Sequence, residues 1–382
     1  MDENVASSEN RQVLHLICDR DVGLFALILS VVPHVHWALR EGRIPIVYYA
    51  NGSIYWTPNG YRGRDTVWEY YFEPVVPTHP VSEIPAEIRE LLATRPLFQQ
   101  HHGYFADEFT FVTNHQTGPV RLHRENIKGH VDPSMRLRKF TSAIIRDHIR
   151  PRDYINQKVN RFFEEHLARR YVIGVHIRGT DALVDQGRVL KVDRINFLRY
   201  CELIDRLVRE HPDAAIFVAS DAKLSVDRIC ERFGERVVAY DAIRHISGDL
   251  AGKGPTGRIM PAYLSESPDT AARSGEEAVI EYLLLCRCNH LVHNGSGFAR
   301  AVLLTVPEMP FSNTLSAAVF WRIAFNRWRE TWQRRLALVY DTIAGEPVVS
   351  WYGLLRALVI EKRRRREELR RTGASSPRSI DQ

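Results

Sequence analysis

Four short apolar runs in the second half of the chain end in residues able to hold an anion. Tyr171-Val172-Ile173-Gly174-Val175 leads into His176-Ile177-Arg178-Gly179-Thr180-Asp181, and Ala215-Ile216-Phe217-Val218-Ala219 leads into Ser220-Asp221. Arg236-Val237-Val238-Ala239-Tyr240 leads into Asp241, and His290-Leu291-Val292-His293 into Asn294-Gly295-Ser296-Gly297. The planar guanidinium of Arg178 can grip a phosphate through two charge-assisted hydrogen bonds, each worth roughly 1.5–3 kcal/mol. Its alternative partner is Asp181. His176 ends its strand either as a satisfied core histidine or as a hydrogen bond to a base or phosphate. Asp241 suits the N1–H and N2–H₂ edge of guanine, or else caps a helix. Ser220 and Asp221, before the helix that starts at Lys223, read as a cap for that helix or else as contacts to a bound nucleotide. The glycines of Asn294-Gly295-Ser296-Gly297 let main chain approach a ligand, and the helix that follows draws anions to its amino end.

Strands of four to six aliphatic residues alternating with helices argue for a parallel sheet covered by helices. In such sheets ligands bind beyond the carboxyl ends of the strands, which is where these polar residues fall. A similar unit opens the chain: strand Val13 to Cys18, helix Leu24 to Arg40 stopped at Gly42, and strand Ile44 to Tyr49. The fold class expected is α/β, with an amino-terminal α/β domain over residues 1–165 and a carboxyl-terminal Rossmann-like domain over 166–312. A helical appendage is expected over 313–382. There Trp321, Phe325, Trp328, Trp332 and Leu336 recur at helical spacing. Within the first domain lies an aromatic stretch, Tyr55 to Phe72, fit either for core packing or for stacking on a sugar. Ser274 reads as a helix cap with Glu277 at the third position, and the long polar run from Asp241 to Ala272 as a lid.

Composition narrows the functional classes. With 382 residues, 45% hydrophobic and 26% charged, the chain can bury two cores and is globular rather than disordered. Five cysteines without framework spacing are expected to be buried thiols. No Gly-x-x-x-x-Gly-Lys-Ser/Thr is present, which excludes a P-loop, and no Gly-x-Gly-x-x-Gly follows a strand, which counts against nicotinamide cofactors. Val22 to Leu39 is interrupted by Pro33, His34 and His36 and reads as a buried helix, not a membrane span. Nine Lys/Arg against four acids between Gly353 and Gln382 supply nearly all of the net charge of +6. The body is close to neutral, so nucleic acid is not an expected partner. No secretory apolar region lies near Met1, which points to the cytoplasm. The basic tail gives a means of holding the chain at an anionic inner membrane surface.

Ile173-Gly174-Val175-His176-Ile177-Arg178-Gly179-Thr180-Asp181, then Phe217-Val218-Ala219-Ser220-Asp221, then Glu277 to Val302 with His293-Asn294-Gly295-Ser296-Gly297-Phe298-Ala299-Arg300, resemble the fucosyltransferase superfamily. That group includes the rhizobial nodulation, core α-1,6- and protein O-fucosyltransferases. The resemblance implies a GT-B-like fold of two facing α/β domains. It also implies a GDP-sugar donor, usually GDP-fucose, held by the second domain, and metal-independent transfer with inversion to a glycan, glycolipid or protein. By motif position His176 and Asp241 would meet guanine or ribose and Arg178 the β-phosphate, while Ser296 and Arg300 match the last motif. Core fucosyltransferases carry a second Arg where this chain has Gly179, and a Lys where it has Ala182. Their base is a carboxylate further along the same loop, for which Asp185 is the nearest candidate.

The chemistry expected is displacement at an anomeric carbon. Arg178 and the amides near Asn294 would stabilise the departing diphosphate, and Asp181 or Asp185 would take the acceptor proton. Asp19-Arg20-Asp21 resembles an Asp-x-Asp metal motif but sits where a loop acid is ordinary, so no metal is expected. The competing classes are a GDP-sugar binder without catalysis, a transferase for another GDP-sugar, and a membrane or nucleic-acid binder acting through the tail.

Overall fold

The structure is a computed structural model that describes residues 12–18, 22–94, 104–114, 132–179, 197–246, 252–253, 259–260 and 267–315. The chain divides into two compact units, Met1–Ser316 and Ala317–Gln382. The expected carboxyl-terminal helices and basic tail lie outside the described residues.

Strand β1 (Leu14–Cys18) is followed by helix α1 (Leu24–Arg40) and β2 (Ile44–Tyr48). The sequence of α1 is apolar almost all round, and a helix of that kind is a buried one: twelve of its residues are buried, Pro33 among them. It stops at Gly42, where the Gly42 and Arg43 N–H groups close back on the Leu39 and Ala38 carbonyls at 3.2 and 2.8 Å. Then come α2 (Val67–Tyr71), α3 (Ala86–Thr94), β3 (Tyr104–Asp107), β4 (Thr110–Asn114), α4 (Met135–His148) and α5 (Asp153–His166). The first sheet runs β2-β1-β4-β3, with β1 parallel to both neighbours and β3 antiparallel at the edge.

The second half comprises β5 (Val172–Ile177), α6 (Phe197–Glu210), β6 (Ala215–Ser220), α7 (Lys223–Phe233) and β7 (Val237–Ala239). A short hairpin, β8 (Gly252–Lys253) with β9 (Ile259–Met260), precedes α8 (Pro268–Leu285), β10 (His290–His293), α9 (Gly297–Thr305) and β11 (Phe311–Asn313). The order of the second sheet is β11-β10-β5-β6-β7, every pair parallel. The two parallel-rich sheets with helices on their faces are the α/β architecture the sequence implied.

Alternation along the strands sorts the core into three layers. Leu16, Cys18 and Ile46 face Ile84, Ile88 and Leu92 on the outside of the first sheet. Ile173, Val175, Ile216 and Val218 face α6 and α7 on the far side of the second. Between the sheets lies one continuous core, to which α1, α2, α4, α5, α8 and α9 all contribute. Phe25 of α1 packs on Phe298 and Tyr282, with ring centroids 4.1 and 5.2 Å apart. Arg138 of α4 is buried and donates to the Leu303, Val306 and Met309 carbonyls at 3.1, 3.2 and 2.7 Å, closing the end of α9.

One open choice closes here and one expectation changes. Core packing is the role of most of the aromatic stretch: Tyr55, Trp68, Tyr70, Tyr71 and Phe72 are buried, while Trp56 and Tyr61 pack against the same core half-buried. The Tyr71 hydroxyl donates to the Ala272 carbonyl at 2.7 Å, so close to α8 that a side chain at Gly275 would meet its oxygen at 2.2 Å. Ser274 is not a cap. Helix α8 starts two turns earlier, where Ser267 accepts from the Thr270 N–H and Pro268 takes the first position.

Candidate functional site

The carboxyl ends of β10, β5 and β6 lie side by side, and the polar residues expected there interlock. The Arg178 N–H donates to Asn294 Oδ1, and Asn294 Nδ2 donates back to the Arg178 carbonyl, both at 3.3 Å. The Arg178 guanidinium is one-third exposed and pairs with Asp221 Oδ2 at 2.7 Å. The other Asp221 oxygen accepts from the Gly179 N–H at 2.8 Å. His176 sits behind them, buried, with Nδ1 3.1 Å from Ser296 Oγ and its ring stacked on Phe298 at 4.5 Å. Ser296 caps α9 through the Ala299 N–H at 3.1 Å. Arg178 thus pairs with Asp221 among the described residues; Asp181, the alternative partner weighed from sequence, lies outside them.

Ser220 and Asp221 do not cap α7. The cap position is Ala222, without a side-chain bond, and the Ser220 hydroxyl donates instead to the Ile177 carbonyl at 2.8 Å. Sequence order suggested a cap because both residues precede the helix. The parallel register of β5 and β6 brings Ser220 opposite Ile177, so the bonds form across the sheet. Asp241 follows the edge strand β7, two strands from β5 and so about 10 Å away, and it is exposed. Arg300 is buried in the first turns of α9. Asp181, Asp185, Ala182 and the Asp19-Arg20-Asp21 run lie outside the described residues.

Burial sets the electrostatics. Burial, with the nearby Arg178 and His293 charges, lowers the pKa of His176 to about 3. Burial also lowers His293 to about 4 against the opposing pull of Asp132, and its Nδ1 accepts from the Gly295 N–H at 3.0 Å. In the first sheet, burial and the Arg43 charge lower His15 to about 3. All three are neutral in the fold and ordinary, near 6.5, when unfolded. Their folded values are depressed, so they contribute stability above pH 6.5 that is lost as pH falls toward 4 and 3. Denaturant midpoints measured at pH 7, 6, 5 and 4 should decrease steadily; a midpoint constant from pH 7 to 4 would contradict the assignment.

Sequence reasoning missed a row of buried acids on α8. Glu276 accepts from Tyr61 at 2.9 Å, from Arg62 at 3.2 Å and from Lys158. Burial alone would raise its pKa, but these hydrogen bonds and charges overcome it and the pKa is lowered. Glu277 binds Arg273 and the Ile243 N–H, each at 2.7 Å. Glu281 pairs with Arg244 at 2.7 Å; burial and the Glu277 and Asp221 charges raise it to about 8 while Arg244 opposes them. The one signal available was the spacing of Glu277 and Glu281, four residues apart on a single helical face.

Fold and site together define an α/β protein with a polar cluster at the carboxyl edge of a parallel sheet. No protein-family model matches the sequence, and no curated protein does. Among solved structures, the chain is similar to NodZ α-1,6-fucosyltransferase crystallised with GDP, at 18% identity and a TM-score of 0.46, over 78% of this chain and 93% of that one. It is similar also to POFUT1 in complex with GDP-fucose, at 12% identity and a TM-score of 0.45, over 78% and 97%. A third is an Arabidopsis thaliana FUT1 variant in complex with GDP, at 12% identity and a TM-score of 0.44, over 77% and 69%. No helix among the described residues is long and apolar enough to cross a membrane.

Proposed function

We propose that this chain is a glycosyltransferase that moves fucose from GDP-fucose to a hydroxyl of a glycan, glycolipid or protein. The observation that carries this reading is the interlocked cluster of His176, Arg178, Asp221, Asn294 and Ser296 beyond adjacent parallel strands, the place where such sheets take ligands. The region 166–312 would hold the nucleotide and residues 1–165 would form the acceptor side. Arg178, the one guanidinium of the motif, would lie against the diphosphate, with the amides around Asn294 beside it. Asp241 would accept from the N1–H and N2–H₂ groups of guanine. The acceptor oxygen attacks the anomeric carbon from the face opposite the diphosphate. The bond from that carbon to the diphosphate oxygen breaks, and the electron pair leaves with GDP. A carboxylate, Asp181 or Asp185, takes the hydroxyl proton. Arg178 stabilises the charge that grows on the leaving group.

Calorimetry with GDP, ADP and UDP tests the reading. The intact chain should prefer GDP, and Arg178→Ala should lose at least about tenfold in affinity, about 1.4 kcal/mol. Equal binding of the three nucleotides, or an Arg178→Ala variant that binds like the parent, overturns it. GDP binding without turnover of any acceptor would favour a sugar-nucleotide binder, the reading that Gly179 and Ala182 make the strongest competitor.

A further inference from the structure

The run Asp241–His245 leaves β7 without regular structure, yet almost every residue in it is tied down. Arg244 folds back on its own segment, donating to the Tyr240 carbonyl at 2.7 Å and the Ala242 carbonyl at 2.9 Å. The same guanidinium reaches Glu281 of α8 at 2.7 Å, and both side chains are about nine-tenths buried. Between these carbonyls and the arginine, the Ile243 N–H donates to Glu277. Beyond it, the His245 N–H donates to the Asp221 carbonyl at 2.8 Å, and the Lys223 N–H returns to the His245 carbonyl at 3.0 Å. Asp241 is the residue between those two carbonyl-bearing residues in the chain; it is exposed, and its carboxylate has no hydrogen bond or ion pair among the described residues.

Burying an arginine against a glutamate is costly, and replacing such a pair by apolar groups is often neutral or stabilising. A surface connection needs no such anchor merely to exist. Holding one exposed carboxylate on an immobilised main chain is what a preorganised recognition group requires. We infer that Arg244, anchored by Glu281, is a positioning residue that fixes the main chain on both sides of Asp241 and so sets the discrimination between guanine and adenine nucleotides. This rests on the nucleotide reading proposed above. Guanine offers a carboxylate two adjacent N–H donors, whereas adenine offers an amino group beside a ring nitrogen that repels it. A carboxylate that swings freely loses the two-point contact first, while the diphosphate contacts common to GDP and ADP stay.

The test is a comparison of GDP and ADP affinities, by calorimetry on the full chain, for the parent, Asp241→Asn, Arg244→Met, Glu281→Gln and the Asp241→Asn/Arg244→Met pair. Arg244→Met should reduce the GDP:ADP preference by about tenfold or more while ADP affinity moves less than about threefold. The paired variant should be no worse than Asp241→Asn alone, because both act on one contact. Glu281→Gln keeps the volume and an acceptor for Arg244, and should reduce the preference by a smaller factor. It also serves if Arg244→Met fails to fold. A merely structural role for Arg244 would weaken GDP and ADP alike. That result, or an unchanged preference in both the Arg244 and Glu281 variants, overturns the inference. A parent chain with no preference for GDP overturns the nucleotide reading and this inference together. A parent that prefers GDP, with Asp241→Asn unaltered, leaves the nucleotide reading standing and overturns this inference alone.

Discussion

Glu276→Ala should cost the fold about 3–5 kcal/mol, the range seen when one partner of a buried ion pair is removed. The Glu276 side chain is 2% exposed and collects Tyr61, Arg62 and Lys158. Arg62 and Lys158 keep 48% and 37% of their side-chain surface in water. After the acid is lost these cations can turn outward and rehydrate, so the low end of the range applies. The reverse deletion differs. Removing both cations, as Lys158→Met with Arg62→Met, strands a carboxylate that cannot reach solvent and can escape only by taking a proton. That pair should cost more than Glu276→Ala, and its deficit should shrink as pH falls and Glu276 protonates. Urea unfolding at pH 7 and pH 5 measures both effects. A loss below about 1 kcal/mol for Glu276→Ala, the range of exposed pairs, would show that Glu276 ties the halves together no more than a surface bridge does. What makes the contact matter is its position: α8 carries Glu276, while Tyr61, Arg62 and Lys158 precede β5.

How far the sequence foretold this arrangement depends on what each feature rests on. Helix α1 and strands β5, β6 and β10 were legible because their apolar runs are long and bounded by Gly or polar residues. Strands β3, β4 and β11 were not. Phe311-Ser312-Asn313 is a strand only because β10 lies beside it, and a three-residue run carries no period of its own. Helix α8 was misplaced because Ser274-Gly275 resembles a helix start. Gly275 is there to let Tyr71 approach, a tertiary demand invisible along the chain. Within the site, the gathering of His176, Arg178, Asn294 and Ser296 followed from the rule that parallel strands deliver their carboxyl ends to one edge. The partners of those residues did not follow. Asp221 meets Gly179, and Arg244 meets Glu281, across 42 and 37 positions of sequence, and nothing local announces either contact.

On the proposed nucleotide reading, Gly179→Arg, which sets a second arginine directly after Arg178, should weaken GDP binding by at least about tenfold, not strengthen it. Charge alone argues the other way, since another cation beside a diphosphate attracts it. Sterics decides. A Cβ at position 179 would stand 2.6 Å from the Ala222 Cβ and 3.2 Å from Ser225 Oγ. The Ala222 atom belongs almost to the backbone and cannot swing aside. Forcing atoms into a packed site costs about 1–3 kcal/mol, and here the strain falls on the turn that matters. Gly179 donates to one oxygen of Asp221 while Arg178 holds the other, so displacing residue 179 removes the carboxylate that orients Arg178. Gly179→Ala adds no charge and should lose nearly as much affinity as Gly179→Arg. Pairing it with Ala222→Gly removes the offending atom and should recover most of that loss. If Gly179→Arg instead binds GDP more tightly than the parent, long-range attraction outweighs the fit of the two turns, and Arg178 needs no help from Asp221 to meet a phosphate.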